Sequence, residues 1–311
     1  MGRSGHDLVA SEIQSRCRGE LKRDESLAKH TTFGLGGPAD FFFLPADLND
    51  LAVAVPLIKD AGIPIFLLGG GTNTLVRDSG FRGLVISLTA GARQIDIGDD
   101  EVIVQAGAST QVMARRCQRA GRTGLEFGCG IPGTIGGAIW GNAGAWGGET
   151  LDRLNWLRGV DLKSGEEVNL KKDDITYGYR HTELPSDLLV IESGFAIGAG
   201  DPDVIAAEME QMLSERKNTQ PLSSRSSGCI FKNPPNYSAG LLIDKAGCKG
   251  MSVGAVEVSD IHANFMVNLG GRTAEDVLSL IGQVQKRVSK VHKIELEPEV
   301  RVLGEQGLES H

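Results

Sequence analysis

Hydrophobic and polar positions follow a β-α-β order in the first third of the chain. Runs of apolar residues predict strands at 39–43, 63–68 and 84–88. Between the first two strands, apolar residues recur at helical spacing over 48–60, and Asp47 stands directly before them as a candidate N-cap. Consecutive elements usually pack against each other, so we expect one compact subdomain here.

The middle of the chain continues this mixed pattern. A strand at 101–105 and a helix at 109–120 precede a long glycine-rich run. Alternating residues between 155 and 198 then indicate antiparallel strands. A helix at 203–217 and a polar linker at 218–227 complete the region, which predicts a second subdomain.

The carboxyl-terminal third predicts a further small unit. A helix is expected at 238–246, with short strands around Val256 and at 265–269. A long helix follows, with Thr273 as its N-cap and one continuous apolar face. The residues on that face are Val277, Leu280, Ile281, Val284, Val288 and Val291. Helices and antiparallel strands in this mixture are typical of an α+β protein.

The two ends of the chain differ in pattern. Residues 1–28 carry few large apolar side chains, so they predict a peripheral polar helix or arm. A last strand is predicted at 296–303, and it carries Glu299 and Arg301. On the pattern alone, such an acidic strand would lie at a solvated edge of a sheet.

The charge balance disfavours several classes of function. The chain has 311 residues, with 32 Lys plus Arg against 40 Asp plus Glu, and its net charge is −8. An acidic protein of this kind is a poor partner for nucleic acid or for an anionic membrane. The sequence contains no apolar run near the roughly 18 residues of a membrane span. We therefore expect a soluble protein that binds any phosphate group locally.

The cysteines indicate a reducing compartment. Five positions (17, 117, 129, 229 and 248) include no CxxC pair and no spacing typical of metal ligands. The amino terminus lacks the apolar core of a signal peptide. We expect a cytoplasmic protein with reduced thiols, without a disulfide framework or a zinc site.

Glycine is the unusual component of this chain, with 42 residues. The segment Gly69-Gly70-Gly71-Thr72-Asn73-Thr74 directly follows the predicted strand at 63–68 and can form a nest of N–H groups that binds phosphate. A tight turn without a ligand is the alternative. The segment is neither a Rossmann fingerprint, because no amphipathic helix follows it, nor a Walker loop, because the Lys-Ser/Thr ending is absent.

A second glycine-rich run spans 128–148. Ordering so many glycines costs conformational entropy, so a ligand or tight packing must hold the run in place. We interpret it as a binding loop. Two such loops in an acidic protein suggest a large cofactor with a diphosphate and a flat ring, and FAD fits that description best.

Seven short segments stand in the order of one known family. They are 30–39 (HTTFGLGGPA), 68–76 (LGGGTNTLV), 131–138 (IPGTIGGA), 179–180 (YR), 228–234 (GCIFKNP), 262–265 (HANF) and 296–301 (LEPEVR). Over about residues 25–305, the chain resembles the UDP-N-acetylenolpyruvoylglucosamine reductase (MurB) family.

The resemblance implies a vanillyl-alcohol-oxidase-type FAD-binding fold of two α+β subdomains, plus a smaller α+β substrate-binding domain. The first subdomain is expected at 29–90, joined by a carboxyl-terminal strand at 296–305, and the second at 91–220. The substrate-binding domain is expected at 221–295. An amino-terminal arm at 1–28 precedes them.

The resemblance also implies a reaction. The enolpyruvyl ether of UDP-N-acetylglucosamine is reduced to UDP-N-acetylmuramic acid, a step of peptidoglycan precursor synthesis, with FAD and NADPH as cofactors. Hydride addition to the vinyl β-carbon leaves negative charge on the α-carbon and its carboxylate, so the site needs fixed positive charge and an acid. UDP-N-acetylglucosamine enolpyruvate and NADPH are the expected partners of a monomer that binds neither nucleic acid nor membrane.

Three residues take the catalytic roles that the resemblance implies. Cys229 is the proton donor, at a position where many relatives carry serine, and a thiol with a reference pKa of about 8.5 is protonated at neutral pH. Arg180 polarises the substrate carboxylate. The separation of 49 positions between Arg180 and Cys229 corresponds to the type II form of the family. Glu299 balances charge at the same centre, and Glu297 is its rival because both point to one side of the predicted strand.

The cofactor residues implied by the resemblance lie in the two glycine-rich loops. In the first loop they are Gly69, Gly70, Gly71, Thr72, Asn73, Thr74 and Leu75. In the second they are Gly128, Ile131, Pro132, Gly133, Thr134, Gly136, Gly137, Ala138, Asn142, Ala143 and Gly144. Lys232 and Asn233 are candidates for binding the phosphates and amide of the nucleotide sugar.

His262 is expected to be structural, while Trp140 and Trp146 either shelter the flavin or pack in a core.

Two other functions stay open on the sequence alone. Another oxidase or dehydrogenase of the same fold, acting on a sugar or hydroxy acid, would keep the glycine-rich loops without requiring Arg180, Cys229 and Glu299 together. A non-catalytic sensor of flavin or nucleotide sugar would keep only the pocket.

Overall fold

The computed structural model of the chain describes residues 3–271 and 273–309. The α-helices are α1 (Arg3–Arg16), α2 (Leu48–Ala61), α3 (Thr110–Arg119), α4 (Ile135–Trp140), α5 (Thr150–Arg153), α6 (Pro202–Thr219), α7 (Ala239–Lys245) and α8 (Ala274–His292). The strands are β1 (Glu20–Ser26), β2 (Pro38–Leu44), β3 (Ile65–Leu67), β4 (Thr74–Val76), β5 (Phe81–Ile86), β6 (Ile95–Ile97), β7 (Glu101–Gln105), β8 (Arg122–Thr123), β9 (Gly144–Ala145), β10 (Gly148–Glu149), β11 (Leu154–Asp161), β12 (Glu167–Lys171), β13 (Tyr177–Gly178), β14 (His181–Thr182), β15 (Leu188–Ala196), β16 (Gly198–Ala199), β17 (Ser252–Val253), β18 (Val256–Val258), β19 (Met266–Asn268), β20 (Arg301–Gly304) and β21 (Gly307–Leu308). Within these described ranges, no helix is both long and apolar enough to cross a lipid bilayer.

The chain divides into two compact units. The first contains the described residues through Arg23 together with Phe41–Gly70 and Leu84–Glu215. The second contains Asp24–Asp40, Gly71–Gly83 and the described residues from Arg216 onwards. The domain ranges expected from the sequence differ from the boundaries of these two units and stay a prediction.

Two sheets contribute strands to the first unit. One has the order β12-β11-β15-β7-β6 with antiparallel neighbours throughout. The other has the order β1-β2-β5-β3, in which β3 and β5 run parallel with Ile65 opposite Leu84. Phe43, Leu157 and Phe195 lie in the apolar core of this unit. Burial of such large side chains is the main driving force for its folding.

Helix α2 begins where the sequence predicts. Asp47 is its N-cap, and the Oδ1 atom accepts hydrogen bonds from the N–H groups of Asn49 at 2.9 Å and Asp50 at 3.2 Å. Gly62 ends the helix in the left-handed region with a φ of 59°. These two local signals set the limits of the helix.

The amino-terminal segment forms the polar helix that is one of the two predicted alternatives, but this helix is docked on the core instead of being peripheral. Helix α1 packs against α2, and Ala10 and Ile13 are buried in the core of the first unit. The chain then continues into β1, at the edge of the four-stranded sheet. A few apolar side chains on one face are enough to dock a helix whose other faces stay in water.

Helix α8 is the main element of the second unit. Thr273 caps it as predicted, since its Oγ1 atom accepts the N–H of Glu275 at 3.1 Å. Its apolar face is buried from Val277 to Val288, and it packs on the antiparallel sheet β17-β18-β19. The prediction is wrong only for Val291, which is 50% exposed in the last turn before the helix ends.

The last strand is shorter than predicted. β20 covers Arg301–Gly304 instead of 296–303 and pairs in parallel with β4, placing Arg301 opposite Thr74. Glu299 therefore precedes the strand. An isolated bridge joins Pro298 to Phe231, with hydrogen bonds from the N–H of Lys232 to the Glu297 oxygen at 2.9 Å and from the N–H of Glu299 to the Ile230 oxygen at 2.7 Å.

Candidate active site

Two glycine-rich turns of the first unit lie against each other. Gly69 follows β3, and Thr134 caps α4 by accepting the N–H of Gly137 on Oγ1 at 3.3 Å. A Cβ atom placed on Gly69 would stand 2.7 Å from Thr134 Oγ1, closer than real side chains come. The close approach of the two turns therefore requires glycine at position 69.

In the second unit, the rest of the first glycine-rich loop packs on the segment that begins the family resemblance. Gly71 has a φ of 62°, and a Cβ atom there would collide with the carbonyl oxygen of His30. The N–H of Thr32 donates to the Gly71 oxygen at 3.0 Å. The Oγ1 atom of Thr32 donates to the same oxygen at 3.3 Å, so residues 30–32 support the loop through backbone and side chain.

Arg180 lies at the turn of a two-stranded hairpin in the first unit. Strands β13 and β14 flank Tyr179 and Arg180, and the backbone of Arg180 is left-handed with a φ of 54°. Its guanidinium donates from Nη2 to the oxygen of Gly144 at 2.7 Å and from Nη1 to the oxygen of Asn142 at 3.4 Å. Its Cζ atom is 4.9 Å from the centre of the Tyr179 ring. The predicted catalytic arginine is therefore anchored on the second glycine-rich loop.

Asn142, a predicted cofactor residue, is fully buried and uses its side chain within the protein. The Nδ2 atom donates to Glu149 Oε2 at 2.7 Å and to the oxygen of Gly178 at 2.8 Å. The Oδ1 atom accepts the N–H of Leu151 at 3.0 Å. Both N–H groups of this amide are thus engaged, and sequence reasoning assigned no role to Glu149.

In the second unit, Cys229 lies on a segment that runs antiparallel to the residues around β19. Isolated bridges join Arg225 to Asn268 and Cys229 to Phe265. The Cys229 segment therefore has one residue more between the two bridges than its partner, and Gly228 in this stretch has a φ of 79°. This irregularity has the form of a bulge, a feature that re-aims a neighbouring side chain. Glycine is suited to the left-handed conformation that it requires.

The backbone beside Cys229 is held by Asn264. This side chain is 3% exposed, accepts the N–H of Phe231 on Oδ1 at 3.0 Å and donates from Nδ2 to the Phe231 oxygen at 2.8 Å. Its backbone oxygen accepts the N–H of Ile230 at 2.9 Å. Sequence reasoning missed this role, although Asn264 lies in the HANF motif that carries part of the family resemblance.

Glu299 lies beside the Cys229 segment. Its N–H donates to the oxygen of Ile230 at 2.7 Å. The Glu299 side chain is half-buried, whereas Glu297 is 67% exposed and pairs with Lys232 Nζ at 2.6 Å. Of the two glutamates, Glu299 is thus the better candidate for a role in the site.

Family models and named relatives match this chain along most of its length. A family model of the FAD binding domain matches residues 39–171, and one of the C-terminal domain of UDP-N-acetylenolpyruvoylglucosamine reductase matches residues 220–303. The reductase of this name from Geobacter metallireducens is 39% identical over 97% of this chain and 100% of its own length. That from Geotalea uraniireducens is 40% identical over 96% of this chain and 99% of its own length. The chain belongs to the MurB family.

A solved member of the MurB family has the same fold. The crystal structure of MurB from Thermus caldophilus has a TM-score of 0.79 and 34% sequence identity, and the match covers 92% of this chain and 99% of that one. The expected α+β, vanillyl-alcohol-oxidase-type FAD-binding fold is therefore confirmed.

The glycine-rich turns of this MurB-family chain fit FAD, the cofactor of its matched domain. In the part of the chain that the structure describes, the N–H groups of Gly69, Gly70, Gly133 and Thr134 have no protein acceptor. Neighbouring N–H groups without an acceptor are typical of phosphate-binding turns, and the FAD diphosphate supplies oxygens for them. These four groups are the ones that would hold it.

A buried hydroxyl beside Cys229 also points to a bound ligand. Ser227 is 4% exposed, and its Oγ atom has no hydrogen-bond partner among the residues described. A buried polar group without a partner is costly, so a polar ligand atom at this position would stabilise the site.

The predicted substrate residues both make contacts within the protein. Asn233 accepts the N–H of Ala239 on Oδ1 at 2.9 Å, at the start of α7, and Lys232 pairs with Glu297. Trp146 donates from Nε1 to Glu215 Oε2 at 3.1 Å, and Trp140 packs against the core of the first unit. The substrate roles of Lys232 and Asn233 stay predictions.

His262 has the environment of a structural residue. Its Nδ1 atom accepts the N–H of Asn264 at 3.2 Å, and its ring packs edge-on against Phe265. Burial lowers the pKa of His262, and the nearby charge of Lys249 lowers it further. Residues 3–271 and 273–309 contain no group of three or more His, Cys, Asp or Glu placed to hold a metal ion.

Proposed function

We propose that this chain reduces UDP-N-acetylglucosamine enolpyruvate to UDP-N-acetylmuramate with NADPH, in the synthesis of peptidoglycan precursors. The observation that carries the proposal is the hydrogen bond from the Glu299 N–H to the Ile230 oxygen at 2.7 Å. It joins the backbone next to Cys229 to the backbone of Glu299, from distant parts of the sequence, in the second unit. The relatives that bear the name of this reductase support the same assignment.

FAD, when bound, supplies the hydride chemistry that amino-acid side chains lack. The protein's part is to bind it, and the N–H groups of Gly69, Gly70, Gly133 and Thr134 would hold its diphosphate. The remaining residues of the site act on the substrate.

Cys229 supplies the proton of the reaction. Reduction of the enolpyruvyl double bond adds hydride at the β-carbon and a proton at the α-carbon, so the C=C bond becomes a single bond. The Sγ atom of Cys229 donates that proton, and water restores it afterwards. A thiol is a stronger acid than a hydroxyl, so it can donate a proton more readily.

Arg180 and Glu299 stabilise the charge that develops on the substrate. The guanidinium of Arg180 matches the two oxygens of the substrate carboxylate and stabilises the negative charge that spreads onto it. Glu299 balances charge on the substrate during the reaction.

Reoxidation of the reduced enzyme tests the proposal. Purified protein is expected to be yellow and to lose its flavin absorbance under anaerobic conditions when NADPH is added. UDP-N-acetylglucosamine enolpyruvate should then restore the absorbance, with UDP-N-acetylmuramate as the product identified by mass spectrometry. A flavin that binds but is not reoxidised by this substrate would instead support a sensor, and reoxidation by simple sugars or hydroxy acids would support another enzyme of the same fold.

A further inference from the structure

We propose that Asn142 is a positioning residue for Arg180. This inference rests on the proposed function, because it concerns the guanidinium assigned to the substrate carboxylate. The side chain of Asn142 is buried, so it acts on the reaction only through Arg180. It connects the turn that carries Arg180 to the glycine-rich loop whose backbone oxygens accept hydrogen bonds from the guanidinium.

The hydrogen bonds of Asn142 join three parts of the first unit. Its side chain reaches Gly178, the residue of β13 just before the Tyr179-Arg180 turn, at 2.8 Å. It also reaches Glu149 at 2.7 Å and the N–H of Leu151 at 3.0 Å, in β10 and α5. With a φ of 40°, Asn142 itself forms part of the glycine-rich loop.

The carbonyl oxygen of the same residue faces the guanidinium. Arg180 Nη1 donates to Asn142 O at 3.4 Å and Nη2 donates to Gly144 O at 2.7 Å. One residue therefore holds the base of the Arg180 turn with its side chain and contacts the tip of the arginine with its backbone. This arrangement sets the distance between the turn and the loop.

Local crowding restricts other positions for the guanidinium. A Cβ atom on Gly144 would stand 2.5 Å from the oxygen of Gly148, 3.1 Å from Glu149 Cγ and 3.3 Å from Arg180 Nη1. The space around Gly144 is thus filled on several sides. If the bonds of Asn142 were lost, the turn and the loop would separate and the guanidinium would lose its fixed position.

A double-mutant cycle tests the inference. We expect Asn142→Ala to slow substrate-dependent flavin reoxidation by about tenfold in the wild-type background, as for the loss of well-formed buried hydrogen bonds. In the Arg180→Ala background the same change should cost less than about twofold, because there is no guanidinium left to position. Reoxidation rates are expressed per bound flavin, because Asn142 is also a predicted cofactor residue.

Ser193→Ala is the matched control. Ser193 is fully buried in β15 of the same unit and donates from Oγ to the oxygen of Val104 at 3.5 Å. Its removal also deletes a buried hydrogen bond, but one without a connection to Arg180. Its effect on reoxidation should be small and equal in both backgrounds.

Glu149→Gln keeps the test valid if Asn142→Ala fails to fold. The glutamine has the same shape and still offers an acceptor to Asn142 Nδ2, but it loses the charge that strengthens this bond. We expect a smaller loss of reoxidation rate in the wild-type background and none in the Arg180→Ala background.

A measurement without substrate separates this inference from the proposed function. Phenylglyoxal modifies exposed guanidinium groups, and peptide mass mapping gives the rate at Arg180. We expect Asn142→Ala to raise that rate by about fivefold, the factor that corresponds to one hydrogen bond, while Ser193→Ala leaves it unchanged.

The outcomes are distinct. Equal losses of reoxidation in the two backgrounds, or an unchanged rate of Arg180 modification, would overturn the positioning role. If the wild-type enzyme does not turn over the proposed substrate, the proposed function fails, and the modification rate alone then decides whether Asn142 positions Arg180.

Discussion

The side-chain amide of Asn73 donates a hydrogen bond from Nδ2 to the backbone oxygen of Glu299 at 3.1 Å. The carbonyl oxygen of Asn73 accepts the N–H of Arg301, also at 3.1 Å. Together with the bond from the Glu299 N–H to Ile230, these contacts hold Glu299 through its backbone on two sides. Its carboxylate can therefore be changed while the backbone contacts remain.

Glu299→Ala should separate catalysis from cofactor binding. We expect turnover to fall by about 100-fold or more, the loss typical of a group that stabilises a transition state, while the FAD content of the purified protein stays near wild type. The measurement is steady-state kinetics together with the flavin-to-protein absorbance ratio.

Glu297→Ala is the control for that variant. Glu297 is exposed and pairs with Lys232 near the surface, so its loss should change turnover by no more than about threefold. Equal losses in the two variants would contradict the choice of Glu299.

Substitutions of Cys229 should affect only one half-reaction. We expect Cys229→Ala to leave flavin reduction by NADPH intact and to abolish reoxidation by the substrate, because only the second step needs a proton. Cys229→Ser should keep useful activity, since a hydroxyl can also donate a proton. Stopped-flow absorbance resolves the two steps, and equal damage to both by Cys229→Ala would count against the role of proton donor.

Gly71 and Gly62 form a matched pair for the first glycine-rich loop. Their φ values are 62° and 59°, but a Cβ atom on Gly71 would collide with the His30 oxygen whereas nothing lies within 4 Å of one on Gly62. Gly62→Ala should cost only the strain of the left-handed backbone, about 1 kcal/mol of unfolding free energy. Gly71→Ala should also deprive the protein of most of its bound FAD. Chemical denaturation and flavin content measure the two effects, and similar FAD content in both variants would be evidence against the loop as a cofactor site.

His262 should make stability depend on pH below neutrality. Burial lowers its pKa in the folded protein, so the folded state binds fewer protons than the unfolded state, where the pKa is about 6.5. The stabilising contribution of the neutral ring is therefore complete above about pH 6.5 and is lost as the pH falls toward the folded-state pKa.

His262→Asn removes this titration while keeping an acceptor for the N–H of Asn264. We expect the melting temperature of the variant to fall less than that of wild type between about pH 7.5 and about pH 5. Parallel thermal melts of the two proteins across this range provide the measurement. Identical pH profiles would show that His262 does not titrate in this way.

Local signals in the sequence were sufficient for the starts of α2 and α8. Asp47 and Thr273 cap α2 and α8 as predicted, because a cap and a helical period involve residues that are neighbours in the chain. The predicted strand at 296–303 was less accurate. Its length depends on pairing partners far away in the sequence.

The order of the motifs was enough to identify the family, its FAD domain and the candidates Arg180, Cys229 and Glu299. Which glutamate lies beside Cys229 was not decided by alternation, because that pattern treats Glu297 and Glu299 alike. Contacts between distant segments distinguish the two: the carboxylate of Glu297 pairs with Lys232, while the backbone of Glu299 contacts Ile230 and Asn73. The catalytic role of Glu299 stays a prediction. The supporting roles of buried amides such as Asn142 also emerge only from the tertiary structure, because a hydrogen bond between distant segments leaves no periodic signal in the sequence.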